Sequence, residues 1–263
     1  MKKKSFNNQD LPKTHPRYLS LKYRHKLIEG MKNLVVAEAG LIAHGRGECF
    51  DYILGERTND FAIQAIKTAV GMLLLAKNPV ISVNGNTAAL VPEELVKLSN
   101  ILNAPLEINL FYKKKGRVKA IKNILIRAGA TNIRGINNKE LVQIEGLDSN
   151  RRFVESIAEA DVVMVPLEDG DRTEALKKIG KMVIAIDLNP LSRTAINADV
   201  TIIDNIVRAL PKMIEMLLQL KNTPESELLD FIKEFDNKKN IQKAIDKIVQ
   251  FLNNEKDEVF KRV

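Results

Sequence analysis

A chain of 263 residues, 45% of them apolar and 28% charged, can bury a sizeable core, and that balance excludes an intrinsically disordered chain. Its 41 Lys and Arg outnumber 33 Asp and Glu, and the net charge of +8 calls for an anionic partner or substrate. A lone cysteine, Cys49, excludes an intramolecular disulfide and predicts a cytoplasmic address, and no apolar run is long enough to form a membrane-spanning helix.

In chain order, the basic start at Met1 lacks a following apolar stretch, so no signal peptide is expected. Residues 14–31 read as a basic helix that opens at His15-Pro16 and ends near Gly30. Residues 38–48, rich in small side chains, read as a loop, and Cys49 beyond it as a small buried residue. A strongly apolar helix over 58–77 stops at Asn78-Pro79.

A βα alternation then begins. Strands are predicted at 80–83, 106–110, 130–134, 161–165, 182–186 and 200–203, with helices at 92–103, 117–128, 150–159, 172–179 and 205–220. Short β-branched runs joined by helices imply right-handed crossovers, hence an α/β fold with a mostly parallel sheet and helices on both faces. After Pro224 the pattern changes to an amphipathic helical pair, 225–235 and 240–253. We therefore divide the chain into a main unit, 1–220, which includes the N-terminal helical segment, and a helical appendage, 221–263. The apolar face of the appendage, with Ile241, Ala244, Ile245, Ile248 and Phe251, must pack on the core or on a second subunit.

The charge excess is local. Residues 221–263 hold nine basic and nine acidic groups, so the surplus sits before Lys32 and in 113–122, where Phe111 and Tyr112 precede a lysine run. That cluster fits a solvated helix start, an RNA contact or attraction for small anionic substrates.

Open parallel sheets bind ligands beyond the carboxyl ends of their strands, so polar residues bunched there are site candidates. Asn84-Gly85-Asn86-Thr87 offers amides to an anion, or forms a plain Asn-Gly turn. Glu168, Asp169 and Asp171, with Arg172 and Thr173, are dense enough to coordinate Mg²⁺ or hold an amine, although Asp171 also suits a helix N-cap. Asp187-Leu188-Asn189 offers a carboxylate to a ribose hydroxyl or an adenine amine, and Arg193-Thr194 follows at a helix start; Asp204-Asn205 adds a polar pair at the next strand end. Arg46, between Gly45 and Gly47, either presents its guanidinium to phosphate or carboxylate or is solvated on a tight turn. No Walker phosphate loop occurs, and Gly45-Arg46-Gly47 lacks the third glycine of a dinucleotide fingerprint. His15, His25 and His44 have no metal-binding partner at usable spacing.

These segments resemble the archaeal 4-phosphopantoate–β-alanine ligase family, also called phosphopantothenate synthetase. The resemblance rests on His15-Pro-Arg-Tyr18, Gly40-Leu-Ile-Ala-His-Gly-Arg-Gly-Glu48 with Phe50-Asp-Tyr52, Pro79-Val-Ile-Ser-Val-Asn-Gly-Asn86 and Asn109-Leu-Phe-Tyr112. Two longer blocks, Val165 through Ala175 and Ile184 through Ala195, make it specific, and it extends over roughly 11–220. It implies a homodimer with a Rossmann-like core that joins 4-phosphopantoate to β-alanine for coenzyme A biosynthesis. Mg-ATP would activate the carboxylate as an acyl adenylate, with release of AMP and diphosphate.

By the same resemblance, Arg24, Arg46, Asp187, Leu188, Asn189, Arg193, Thr194, Asp204 and Asn205 are expected at ATP. Arg46, Glu168, Asp169 and Asp171 are the catalytic candidates, with one of the three carboxylates holding the β-alanine ammonium or Mg²⁺. Asn84, Asn86, Arg151 and Arg152 are candidates for the pantoate end. A nicotinamide-dependent oxidoreductase is the rival enzyme reading, weakened by the missing fingerprint, and a nucleic-acid-binding module is the non-enzymatic one.

Overall fold

The computed structural model describes residues 12–15, 17–111, 114–136, 142–143 and 153–261; Arg151 and Arg152 lie outside them. The described strands are β1 (Pro79–Val83), β2 (Leu106–Ile108), β3 (Ile133–Arg134), β4 (Val142–Gln143), β5 (Phe153–Val154), β6 (Val162–Pro166), β7 (Met182–Ile186) and β8 (Val200–Ile202). Six of them form one parallel sheet in the order β3-β2-β1-β6-β7-β8, while β4 and β5 pair antiparallel to each other. With that pair set aside, the strand order is that of a Rossmann-type doubly wound sheet, and the direction of winding reverses between β1 and β6.

Alternation along each strand sends successive side chains to opposite faces. Leu106, Ile81, Met164, Ile184 and Val200 stand in register across the sheet and join the larger core. That face is covered by α3 (Asp60–Leu75), α5 (Pro92–Leu102), α6 (Arg117–Arg127) and α9 (Ile206–Leu220). Val80, Val163 and Val183 form the matching row on the other face, under α7 (Gly170–Lys178), α8 (Arg193–Asn197) and a 3-10 turn, Ser156–Ala158. Helices therefore cover both faces, as the alternation predicts.

Three more helices wrap the carboxyl edge: α1 (Tyr18–Lys32), α2 (Glu38–Ile53) and the short α4 (Gly85–Leu90). The last two, α10 (Glu225–Glu234) and α11 (Asn237–Lys261), pack back on the core. Ala244 of α11 is fully buried beside Leu54, Phe61, Leu188 and Ile203, so this helix closes a third apolar cluster under the ends of β7 and β8. Asn237 Oδ1 accepts from Thr201 N at 2.8 Å, and Asn240 Nδ2 donates to Thr201 O at 3.0 Å.

Four expectations change. Residues 38–48 are helical, not a loop: Ala39, Leu41 and Ala43 favour helix, and Gly40 serves a close approach, since a Cβ there would lie 2.3 Å from Asn86 Oδ1. Cys49 is exposed, because α2 lies at the surface and buries only Asp51 fully. The turn after β1 becomes the N-terminus of α4, where Asn84 Oδ1 accepts from Asn86 N and Thr87 N and the Thr87 hydroxyl accepts from Asn84 N.

Within 150–159, the described residues are β5 and the 3-10 turn instead of a helix. Glu107, a fully buried carboxylate on β2, accepts from Glu155 N at 3.1 Å and Ile157 N at 2.9 Å, so backbone donors that helix formation would use are held by a distant side chain.

Candidate active site at the sheet's switch point

The carboxyl ends of β1, β6, β7 and β8 open into one crevice of about 350 Å³, roofed by α2. Such a crevice at a reversal of strand order is where doubly wound sheets bind ligands. The reversal is pinned chemically: Asn84 Nδ2 donates to Pro166 O and Leu167 O, tying the end of β1 to the end of β6. Gly85 lets the chain pass Val35, whose carbonyl oxygen would lie 2.2 Å from an added Cβ.

One half of the crevice is built on β7 and β8. Asp187 leaves β7 and accepts from Ser192 Oγ at 2.5 Å and from Asn189 N at 2.9 Å. Burial raises its pKa, against those two hydrogen bonds and the nearby Arg46 guanidinium. Arg46, Leu188, Asn189 and Asn205 line the same half. Asn205 caps α9 through Val207 N at 3.3 Å and donates to Asp51 Oδ2 at 2.8 Å.

The other half lies between α4 and the loop after β6. Leu167 has a φ of 54°, a left-handed backbone that a branched residue adopts only under constraint, and it turns Glu168 inward. The Thr194 hydroxyl fixes that turn by donating to Glu168 O at 2.9 Å. The Glu168 side chain is 6% exposed, with Oε2 3.2 Å from Nε of the fully buried Arg172. Its pKa rises to about 7, chiefly through burial and against the attraction of Arg172, while the neighbouring Asp169 carboxyl pushes it up further. Asp169 Oδ1 accepts from Arg172 N as the N-cap of α7.

Not every predicted residue reaches the crevice. Arg24 is held by Glu48, Nε to Oε2 at 2.6 Å, on the α1 side of α2. Arg193 pairs with Asp171 and Glu174 at 2.8 Å each, outside the crevice lining. Asp204 is buried and held by Thr58 Oγ1 and Arg208; burial raises its pKa, and these partners oppose the rise. Asn84 and Asn86 line the crevice, but their Nδ2 groups donate to Pro166, Leu167 and Gly40 carbonyls.

Sequence reasoning passed over three groups. Arg208 bridges Asp51 and Asp204, a buried triad whose only local sign is the four-residue spacing of Asp204 and Arg208 at a helix start. His44 lines the crevice, and burial holds its pKa below the ordinary value. Arg117, almost buried, donates to Leu34 O at 3.3 Å from the far end of the crevice.

A doubly wound parallel sheet with a charged crevice across its switch point defines an α/β protein of the class that binds small anionic ligands, nucleotides among them. The family model for phosphopantothenate/pantothenate synthetase matches residues 61–251. A Thermococcus onnurineus protein named 4-phosphopantoate–beta-alanine ligase is 55% identical over 238 residues, 89% of this chain and 90% of its own. The proteins of that name from Thermococcus kodakarensis and Methanosarcina mazei are 53% and 47% identical, over 90% and 92% of this chain and 91% and 96% of theirs. The chain belongs to the phosphopantothenate/pantothenate synthetase family.

Proposed function

We propose that this protein is an ATP-dependent amide ligase that joins 4-phosphopantoate to β-alanine in coenzyme A biosynthesis, forming 4'-phosphopantothenate, AMP and diphosphate through an acyl adenylate. The name shared by its relatives supports the substrates. The observation that carries the reading is the crevice lined by Arg46, Asp187 and Asn205 on one side and by Asn86 and Glu168 on the other.

A carboxylate is a poor acyl donor, so the nucleotide must activate it before an amine attacks. We place the nucleotide over β7 and β8: Asp187 and Asn189 face its ribose or base, Arg46 offsets phosphate charge as it develops, and Arg24, held by Glu48 beside the crevice, would have to leave that partner to reach the same phosphates. Leu188 sits in the apolar cluster beneath. Arg193, Thr194 and Asp204, committed to protein partners, would act by fixing the loops that touch the nucleotide. The acyl substrate then lies toward α4. Asn84 positions the two strand ends there, and Asn86 keeps its Oδ1 toward the close-packed Gly40.

No group of three or more potential metal ligands occurs among the described residues. Asp169 caps α7 and Asp171 pairs with Arg193, so either carboxylate would have to leave its partner to hold Mg²⁺, which would supply positive charge to the phosphates of ATP.

On this reading the unit 1–220 carries the chemistry, and α11 of the appendage closes the apolar cluster below it through Ala244. Exposed Leu19, Ile42, Tyr52 and Leu252 on α1, α2 and α11 support a homodimer. Among the described residues, no helix is long and apolar enough to cross a membrane. Phe111 lines the crevice, which favours the ligase reading over nucleic-acid binding.

The test is product analysis. Incubation with ATP, β-alanine and 4-phosphopantoate yields AMP, dependent on all three. Formation of ADP would replace the adenylate with an acyl phosphate, and turnover without β-alanine would end the ligase reading.

A further inference from the structure

We propose that Glu168 is the proton acceptor for the incoming ammonium group, with Asp169 and Arg172 as its positioning residues. The inference rests on the ligase reading above and adds the group that makes the amine nucleophilic. β-Alanine arrives with a protonated amine, which has no lone pair to attack an acyl carbon. A base within reach of that nitrogen is therefore required.

Glu168 stands in the acyl half of the crevice, on the wall after β6. Its backbone is overdetermined: Leu167 O accepts from Asn84, Glu168 O accepts from Thr194, and Leu167 is held in a left-handed conformation. A constraint of this kind at a ligand crevice is a mark of function. Glu168 Oε1 accepts from Asp169 N at 3.1 Å, whereas Oε2 is buried in an ion pair, 3.2 Å from Arg172 Nε, and makes no well-aligned hydrogen bond. A buried carboxylate oxygen held by an ion pair alone keeps lone-pair capacity that an arriving ammonium can use.

The charged groups around it set its basicity. Asp169 and Arg172 act on it from the loop and from α7, and Arg172 also acts on the buried Glu107 of β2. His44, Arg46 and Glu48 of α2, Asp187 after β7 and Arg117 of α6 line the rest of the crevice. Burial outweighs Arg172, and the resulting pKa of about 7 suits a base that must gain and lose a proton at neutral pH.

The ammonium gives one proton to the Glu168 carboxylate, and the freed lone pair attacks the acyl carbon of the adenylate. The bond from that carbon to the AMP phosphate oxygen breaks, its electron pair leaves with AMP, and the second amine proton passes to solvent as the amide forms. Glu168 then releases its proton to solvent.

The experiment separates the two halves of the reaction. The Glu168→Gln variant should lose amide formation by about 10²- to 10⁴-fold. It should retain phosphopantoate-dependent exchange of diphosphate into ATP. It should also form hydroxamate near the wild-type rate with hydroxylamine, a nucleophile already unprotonated at neutral pH. Equal losses in all three assays, or amide formation within a few-fold of wild type, overturn the assignment. Absence of exchange in the wild type overturns the adenylate reading and this inference with it.

Should the variant fail to fold, the wild-type pH profile decides. With Glu168 as base, the β-alanine rate levels off on the alkaline side of neutrality while the hydroxylamine rate stays flat. A β-alanine rate that climbs steadily with free amine overturns the proposal.

Discussion

The side-chain amide of Asn84 donates to the carbonyl oxygens of Pro166 at 3.0 Å and Leu167 at 2.9 Å, so one residue spans the switch point of the sheet. The same side chain caps α4 through its oxygen. Asn84→Asp therefore replaces two donated hydrogen bonds with a carboxylate facing two carbonyls. The expected loss is about 2–4 kcal/mol of stability, because buried acceptors are left unpaired beside a charge. Equilibrium denaturation checks it, and a loss below about 0.5 kcal/mol would contradict the role given to this amide.

Arg46 is exposed on α2, lines the crevice, and its charge acts on Asp187. Arg46→Ala should raise the KM for ATP by roughly 10- to 100-fold, the worth of one or two charge-assisted hydrogen bonds. The unfolding midpoint should stay near that of the wild type. Unchanged ATP affinity would remove Arg46 from the nucleotide site.

Arg208 lies between Asp51 and Asp204, whose side chains are 9% and 0% exposed. Arg208→Met leaves two buried carboxylates without their cation, a change that costs about 3–5 kcal/mol. Adding Asp204→Asn should recover part of the loss, a non-additivity that a double-mutant cycle measures.

Glu168 also predicts a pH dependence of stability. Its pKa rises from 4.5 in the unfolded chain to about 7 in the fold, so the folded state holds the extra proton. The resulting stabilisation is present below pH 4.5 and is lost as pH rises through about 7, a swing of about 3 kcal/mol from this group. Glu168→Gln does not titrate. The melting temperature of the variant should therefore gain on the wild type as pH is raised from 4.5 to 8, and parallel melting curves across that window would contradict the shift.

Gly85→Ala should destabilise by about 1–3 kcal/mol or more, since the added methyl would lie 2.2 Å from the Val35 carbonyl oxygen. The backbone of Val35 borders the crevice, so the variant should lose activity in step with stability. A fully active, stable variant would show that α4 and the Val35–Val36 segment before α2 can separate without harm.

Much of the architecture is written locally. The run over 182–186 is β-branched and bounded by polar residues, and it forms β7 over those residues. The helix over 92–102 opens at Pro92, which suits a first helical turn. What eluded sequence reasoning depends on partners far along the chain. Gly40 looks like a loop residue until Asn86 is seen against it, and residues 155–157 look helical until Glu107 takes their N–H groups. The candidate site follows the same rule. Asp187 and Glu168 stand at strand ends that the pattern marks, whereas the withdrawal of Arg193 and Asp204 from the crevice depends on the charges they meet, Asp171 and Arg208 among them.

Thr201 lies on β8, the last strand of the sheet, and its N–H and C=O are met by the side-chain amides of Asn237 and Asn240. Two asparagines on the C-terminal helix thus stand where an additional strand would otherwise dock. An uncovered parallel edge invites pairing with other chains. Truncating the chain before Asn237 would uncover this edge as well as the apolar cluster beneath it, so the helix guards the protein against self-association through its sheet.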